Sequence, residues 1–175
     1  MSLEQKINNL ETDLHIMGTL VLDSLVGAVR ALEDKDTLKA SEVMDKDDEI
    51  DDAYMKIDQD WFELMATEQP VASDLRLSTS ILQASLHLER LGDLSVYLGK
   101  TTHEIHDLPI PESLHKIVVE MGDMVIDMAS SALESLKNRD AELALSTARK
   151  DELINSLYNK TVSYTHLTLP TSNGV

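Results

Sequence analysis

The sequence contains no cysteine. Disulfide bonds, thiolate metal sites and cysteine nucleophiles are therefore excluded as explanations of fold or function. Aromatic residues make up only 3% of the chain, although 42% of all residues are hydrophobic. Leucine, isoleucine, valine, methionine and alanine must consequently form the core, a composition that is common in helical bundles.

Positive charge is also scarce. Fifteen lysine and arginine residues stand against 32 acidic residues, which gives a formal net charge of −17. No basic cluster is available to neutralise phosphates, so we expect no nucleic acid partner. No apolar run approaches the ~20 residues of a membrane span, and no signal-peptide pattern is present at the N-terminus. These absences predict a cytoplasmic protein without membrane insertion, whose natural counterparts are cations or basic protein surfaces.

What the sequence does contain is an internal repeat. Residues 17–56 align without a gap to residues 121–160, with 13 identities in 40 positions. Met17-Gly18 recurs as Met121-Gly122 at this offset of 104 residues. A period of this length is too long for a solenoid and indicates a duplicated helical bundle.

Apolar residues recur every three or four positions along most of the chain, which is the pattern of amphipathic helices. The pattern predicts helices over residues 3–33, 37–68 and about 72–102. A linker with two prolines then precedes a fourth helix over about 112–138 and a fifth from about Asp140. We therefore predict an all-α fold, with an antiparallel three-helix bundle over residues 1–106. The first two helices of an incomplete second copy follow over residues 107–160.

The C-terminal segment breaks the repeat. Similarity to the first copy fades near Lys160, and residues 161–175 are rich in threonine and serine and lack helical periodicity. We expect this segment to be a non-native or disordered tail, which leaves the second bundle without its third helix. Such a bundle has uncovered apolar surface, so we expect lower stability and more self-association than in a complete two-bundle chain.

Two acidic pairs have i,i+4 spacing on the predicted helices: Asp47 with Asp51, and Glu89 with Asp93. Members of such a pair face the same way, and like charges there destabilise a helix slightly unless they are compensated. If the two helices are neighbours, the four carboxylates form an all-oxygen site suited to Mg²⁺, Mn²⁺, Ca²⁺ or iron. The alternative is an acidic surface that is solvated or paired with nearby basic side chains. Gly92 lowers helix stability and so indicates close approach of another backbone or a ligand.

Four segments together resemble the PhoU family of phosphate-uptake regulators. They are Met17-Gly18, the Asp47 and Asp51 pair, Gln69-Pro70 with Asp74-Leu75-Arg76, and Leu88-Glu89-Arg90-Leu91-Gly92-Asp93. The resemblance implies two similar three-helix bundles and a surface cluster of iron, zinc or other divalent cations. The metal ligands that it implies are Asp47, Asp51, Glu89 and Asp93. In the second copy the motif reads Asp151 and Asn155, so no cluster is expected there.

The resemblance also implies a function. It implies a non-enzymatic regulator that restrains phosphate uptake and phosphate-starvation signalling, and that forms homo-oligomers. Its implied partners are the ATPase of the phosphate ABC transporter and the sensor histidine kinase of the phosphate two-component system. Two alternatives stay open: a metal-dependent bundle enzyme, and a helical scaffold or phosphotransfer module that uses His15 or His87. A single Glu112 and His115 spacing falls short of a di-iron site, which needs two such motifs.

Overall fold

The computed structural model describes residues 1–168 of the chain, and its side chains as far as residue 163. All regular secondary structure in this part is helical, and the all-α prediction is confirmed. The helices are α1 (Leu3–Asp34), α2 (Thr37–Asp45), α3 (Asp47–Glu68), α4 (Ala72–Ile105), α5 (Glu112–Asn138), α6 (Ala141–Arg149) and α7 (Asp151–Thr168).

The chain divides into two compact units, of which the first is Met1–His106 and the second begins at Asp107. In the first unit, α4 packs along α1, α2 and α3, and α1 packs on α2 and α3, so three antiparallel rods enclose one core. In the second unit, α5 packs on α6 and α7. The core of the first unit is aliphatic, as the composition predicts, and includes Leu10, Leu14, Met17, Val21, Ile57, Leu64 and Ile81.

The helix predicted over residues 37–68 is interrupted, and in this respect the prediction is wrong. The interruption is Lys46, which separates α2 from α3 with φ −91° and ψ 0°. Its N–H donates to the Val43 carbonyl at 3.3 Å, a bond to the third residue back that tightens the end of α2. Lys150 separates α6 from α7 in the same way. The apolar spacing continues across a one-residue interruption, so periodicity does not reveal it.

The turn before each interrupted helix is duplicated as well. Lys35 and Arg139 both have left-handed backbone conformation, with φ 54° and 53°. Asp36 and Asp140 then cap α2 and α6, and each side chain accepts a hydrogen bond from a first-turn N–H. Such a cap satisfies donors that have no partner inside the helix. The repeat in the sequence is therefore also a repeat of local geometry.

The prediction for the C-terminal segment is wrong in part. Helix α7 continues to Thr168, so residues 161–168 are helical, whereas residues 169–175 lie outside the described part of the chain. The hydroxyls of Thr161 and Ser163 donate to carbonyls four residues earlier, at 3.0 and 2.9 Å. Threonine and serine are accommodated inside a helix by such bonds, although they lower its propensity.

The self-association expected for the second unit stays a prediction.

Helix α1 is long and apolar enough to cross a membrane when judged by length and composition alone, although no membrane insertion was predicted. Half of its apolar window is buried inside the protein. The buried positions, among them Leu10, Leu14 and Met17, follow the three- and four-residue spacing of a core helix. Packing in the first unit therefore accounts for the apolar character of α1.

A close contact fixes the position of α3 against α4. A Cβ atom added to Gly92 would lie 3.1 Å from Cγ2 and 3.2 Å from Cδ1 of Ile50, which is 2% exposed. Ile50 thus fills the space that a side chain at position 92 would need. The close approach predicted at Gly92 is present, but the approaching group is a side chain rather than a backbone or a ligand.

We expect the substitution Gly92→Leu to lower the free energy of unfolding by about 1 kcal/mol. Overpacking against Ile50 costs ~2 kcal/mol and leucine recovers somewhat less than 1 kcal/mol in helix propensity. Urea denaturation followed by circular dichroism measures the change. The control, Gln83→Leu at an exposed position of α4, should change stability by at most about 0.5 kcal/mol. Equal stability of the two variants would show that this contact does not determine the packing.

Candidate functional site

The four carboxylates predicted to act together lie on two helices that pack on each other. Asp47 and Asp51 lie on the first two turns of α3, and Glu89 and Asp93 lie near the middle of α4. Along α3 the first pair brackets Ile50, and along α4 the second pair brackets Gly92. Asp47 and Glu89 are half-buried, and Asp51 and Asp93 are exposed. We call these four residues the acidic strip.

The charges of the acidic strip act on one another across the two helices. Burial raises the pKa of Asp47, and the charges of Asp51 and Asp93 raise it further. Burial also raises the pKa of Glu89, with added contributions from Asp93 and Asp51. The charge of Asp93 thus acts on Asp47 from the opposite helix, and the charges of Asp51 and Asp47 act on Glu89. The structure brings together the residues that spacing alone singled out.

Basic side chains do not neutralise the acidic strip. Within the described residues, none of its four side chains forms a salt bridge or a hydrogen bond, and Lys100 and Arg90 only partly offset the raised pKa values. Some acids elsewhere in the first unit are paired, such as Glu68, which accepts from Lys6 at 2.9 Å, whereas others, such as Asp48 and Asp52, form no ion pair within the described residues. Of the alternative, a solvated or paired acidic surface, the pairing is not observed within the described residues, and a solvated surface stays a hypothesis. Repulsion among its carboxylates is therefore only partly compensated.

The acidic strip has the right donor chemistry for a hard cation but is not arranged around one. In the part of the chain that the structure describes, no three acidic or histidine side chains converge closely enough to hold a single metal ion. Carboxylate oxygens are nevertheless the donors that hard divalent cations prefer, and a cation would relieve the repulsion. Binding would require the side chains to turn towards the ion. The predicted metal ligands stay a prediction.

The other candidate residues have different surroundings. In the second copy, the amide of Asn155 donates to Asp151 at 2.9 Å, so this pair is satisfied internally. Glu112 forms an ion pair with Lys116 at 2.7 Å, and the hydrogen bond from that lysine lowers the pKa of Glu112. His15 and His87 are exposed on α1 and α4, and a phosphotransfer role for either one stays a hypothesis.

The fold and the acidic strip define a class: a duplicated helical-bundle protein with an unpaired acidic surface on its first copy. The family profile described as the PhoU domain matches residues 14–102 and again residues 118–174, and the two matches begin 104 residues apart. The chain belongs to the PhoU family. The second match runs through most of the segment that we predicted to be non-native.

Relatives that carry the family name cover most of this chain. The phosphate-specific transport system accessory protein PhoU homolog of Pseudomonas putida is 32% identical over 153 residues, which are 87% of this chain and 60% of that protein. The protein of the same description from Clostridium acetobutylicum is 31% identical over 161 residues, which are 90% of this chain and 72% of that protein. The chain thus spans about 60% of the length of the first of these relatives.

Comparison with solved structures leads to the same family. The crystal structure of PhoU from Pseudomonas aeruginosa superimposes with a TM-score of 0.90 at 30% identity, covering 95% of this chain and 82% of that one. The phosphate transport system regulatory protein PhoU from Streptococcus pneumoniae superimposes with a TM-score of 0.84 at 28% identity, covering 91% and 75%. The tandem-bundle fold predicted from the repeat is the fold of these proteins.

The raised pKa of Glu89 predicts how the stability of the protein changes with pH. The pKa of such a carboxyl is higher in the folded chain than in the unfolded chain. As pH rises from the pKa of the unfolded chain through that of the folded chain, the carboxyl destabilises the fold increasingly. We therefore expect Glu89→Gln to raise stability at pH ~7 by about 0.3 kcal/mol, a small value because the site is largely solvated. Below the ordinary glutamate pKa of 4.5, the gain should vanish.

Thermal melting at both pH values measures this difference, and Glu104→Gln, which is exposed on the same helix, is the control. A gain of equal size at both pH values would show that repulsion within the acidic strip is not its cause.

Proposed function

We propose that this protein is a cytoplasmic regulator of phosphate homeostasis that restrains phosphate uptake and phosphate-starvation signalling by binding other proteins. Relatives are described as accessory proteins of the phosphate-specific transport system, and one similar structure as a phosphate transport regulatory protein. The single observation that carries the proposal is the acidic strip, which is unpaired within the described residues and held on rigid helices. No turnover of a substrate is needed for such a role.

The acidic strip has the properties of a docking surface for a basic partner. Its unpaired negative charge, in a chain of net charge −17, accelerates encounter with positively charged surfaces. Along α3, Asp51 is followed on the same side of the helix by Met55 and Phe62, whose side chains are 65% and 69% exposed. A partner that covers both features gains electrostatic steering from the strip and apolar burial from these two residues.

The partners that we propose are the ATPase of the phosphate ABC transporter and the sensor histidine kinase of the phosphate two-component system. A bundle of long helices presents its surface with little conformational freedom, so binding costs little entropy of ordering. The homo-oligomeric state expected from the family resemblance stays a prediction.

We also infer that the acidic strip holds iron, zinc or another divalent cation through Asp47, Asp51, Glu89 and Asp93. The support is the all-oxygen donor set, the absence of pairing within the described residues and the mutual repulsion expressed in the raised pKa values. A bound cation supplies positive charge that neutralises the strip. The affinity of the strip for a basic partner would then depend on the metal content of the protein.

Binding to the transporter ATPase tests the regulatory proposal. We expect Asp51→Asn combined with Asp93→Asn to weaken binding roughly tenfold, or about 1.4 kcal/mol, chiefly through a slower association rate. Biolayer interferometry at two salt concentrations measures both rate constants. The control is Asp48→Asn combined with Asp52→Asn. It removes the same number of charges at the residues that directly follow Asp47 and Asp51 on α3. The proposal is wrong if the unmodified protein binds neither the ATPase nor the kinase, or if both variants lose binding equally.

Manganese binding tests the cation site separately. In a titration followed by electron paramagnetic resonance, the unmodified protein should remove the signal of free Mn²⁺. Replacing the four carboxylates of the acidic strip by their amides should abolish this binding, whereas the Asp48 and Asp52 control should retain it. Acidification should release the ion, because protons compete for ligands with raised pKa values. Equal Mn²⁺ binding by all three proteins would contradict the assignment.

A further inference from the structure

A row of apolar side chains extends from each acidic pair along its helix. On α3 the row follows the pair, and on α4 it precedes the pair. Steps of three, four or seven positions separate successive members, so each row stays on the side of the helix that carries the carboxylates. The members are Met55, Phe62 and Met65 on α3 and Leu75, Leu82 and Leu86 on α4. We call these six residues the apolar groove.

The two rows of the apolar groove lie beside each other. Helices α3 and α4 are antiparallel and are joined by residues 69–71. Ile50 meets Gly92, so residues later in α3 lie beside residues earlier in α4. Phe62 follows Ile50 by 12 positions and Leu82 precedes Gly92 by 10, which places both residues at nearly the same height. The rows therefore border one groove between the two helices.

The apolar groove faces away from α1. Lys56 and Glu63 lie on the opposite side of α3, and they form ion pairs with Asp13 and Lys6 of α1. The side of α3 that bears the apolar row is thus not the side that contacts α1. Packing inside the three-rod bundle does not explain why this row is apolar.

The apolar groove is also accessible. Met55, Phe62 and Leu75 are 65%, 69% and 41% exposed, and its other three residues are half-buried. Single exposed apolar residues are common on soluble proteins, but rows of them on two neighbouring helices indicate a binding surface. A helix that lies between two others contacts both through residues spaced three or four apart. The spacing in both rows therefore favours a helical occupant.

The surface between α3 and α4 has an apolar half and an acidic half. Helix α4 advances about 27 Å from Leu75 to Asp93, and α3 advances equally far from Asp47 to Met65. An occupant of this length meets the apolar groove at one end. At the other end it meets the acidic strip, which forms no ion pair within the described residues. Complementarity requires apolar side chains at one end of the occupant and basic side chains at the other.

We propose that this surface binds one amphipathic helix of a partner protein, whose apolar side chains cover the apolar groove and whose basic side chains cover the acidic strip. The inference rests on the proposed function, since the helix belongs to a protein that the regulator binds. A second copy of this chain does not supply such a helix, because none of the seven helices in the described residues has a net positive charge. The charge of the surface therefore favours a different, basic protein.

Two fluorescent peptides test the proposal. Each has about 20 residues, enough to span the surface as a helix, and carries leucine and arginine on one face. In the segregated peptide the leucines occupy one half and the arginines the other, whereas in the mixed peptide they alternate. Titration with the full chain in EDTA, followed by fluorescence anisotropy, should show saturable binding of the segregated peptide and roughly fivefold weaker binding of the mixed one. Equal affinity for both, or binding of neither, would overturn the proposal.

A pair of variants places the peptide in the apolar groove. Phe62→Ser combined with Leu75→Ser removes two exposed apolar side chains and should weaken binding of the segregated peptide roughly tenfold. The control, Ile16→Ser combined with Leu38→Ser, removes two exposed apolar side chains elsewhere in the first unit and should leave the affinity unchanged. Equal affinities of the two variants would refute the groove as the site.

A charge variant tests the acidic half of the surface. Asp51→Asn combined with Asp93→Asn should weaken binding of the segregated peptide at low salt, and the difference from the unmodified protein should shrink at high salt because salt screens the attraction. This variant decides the matter if the serine variant does not fold. Unchanged affinity at low salt would contradict the proposed orientation of the helix.

Binding to the transporter ATPase separates this inference from the proposed function. The Phe62 and Leu75 variant should bind the ATPase roughly tenfold more weakly than the unmodified protein. If it binds the ATPase equally tightly, the groove is not the docking site and the regulatory proposal is unaffected. If the segregated peptide binds but neither the ATPase nor the sensor kinase does, the groove is confirmed as a helix-binding surface and the proposed function is wrong.

Discussion

The packing of Ile50 against Gly92 is the constraint on which the functional surface of this protein depends. It holds α3 so close to α4 that a Cβ atom at position 92 would lie 3.1 Å from Ile50, whose side chain would have to move by a few tenths of an ångström. The acidic pairs, which bracket these two residues along their helices, are consequently held near each other despite their repulsion. Burial of apolar surface in the core stabilises the unit by far more than this repulsion destabilises it. The core thus maintains an arrangement of charge that the acidic residues by themselves would avoid.

Duplication provided the scaffold, and divergence of side chains separated the roles of the two copies. The left-handed residue, the aspartate cap and the interruption of the following helix occur in both copies at the same offset. The polar side chains of the first copy are not repeated in the second: Asp51 corresponds to Asn155, and Ser24 corresponds to Met128. Backbone geometry is thus compatible with several surfaces, and function resides in the side chains placed on it.

Sequence patterns were a reliable guide to the helices and a weaker one to their interruptions. The helix predicted over about residues 112–138 has those limits in the structure, because an N-terminal proline and a left-handed C-terminal residue bound a long amphipathic stretch. The interruption at Lys46 was missed, since only one residue leaves the helical pattern. The prediction of a non-native or disordered tail from residue 161 rested on fading similarity to the first copy, a threonine- and serine-rich composition and the absence of helical periodicity. It did not consider that hydroxyl side chains can bond within a helix.

The sequence by itself determined the helical class, the duplication and the four acidic residues that share one side of their helices. These properties are local or periodic, and spacing along the chain expresses them directly. Only the tertiary structure decided that the two acidic pairs lie on neighbouring helices and that no basic side chain in the described residues pairs with them. Those facts depend on which helices become neighbours and how closely they approach, and a single sequence encodes this only through the packing of its core.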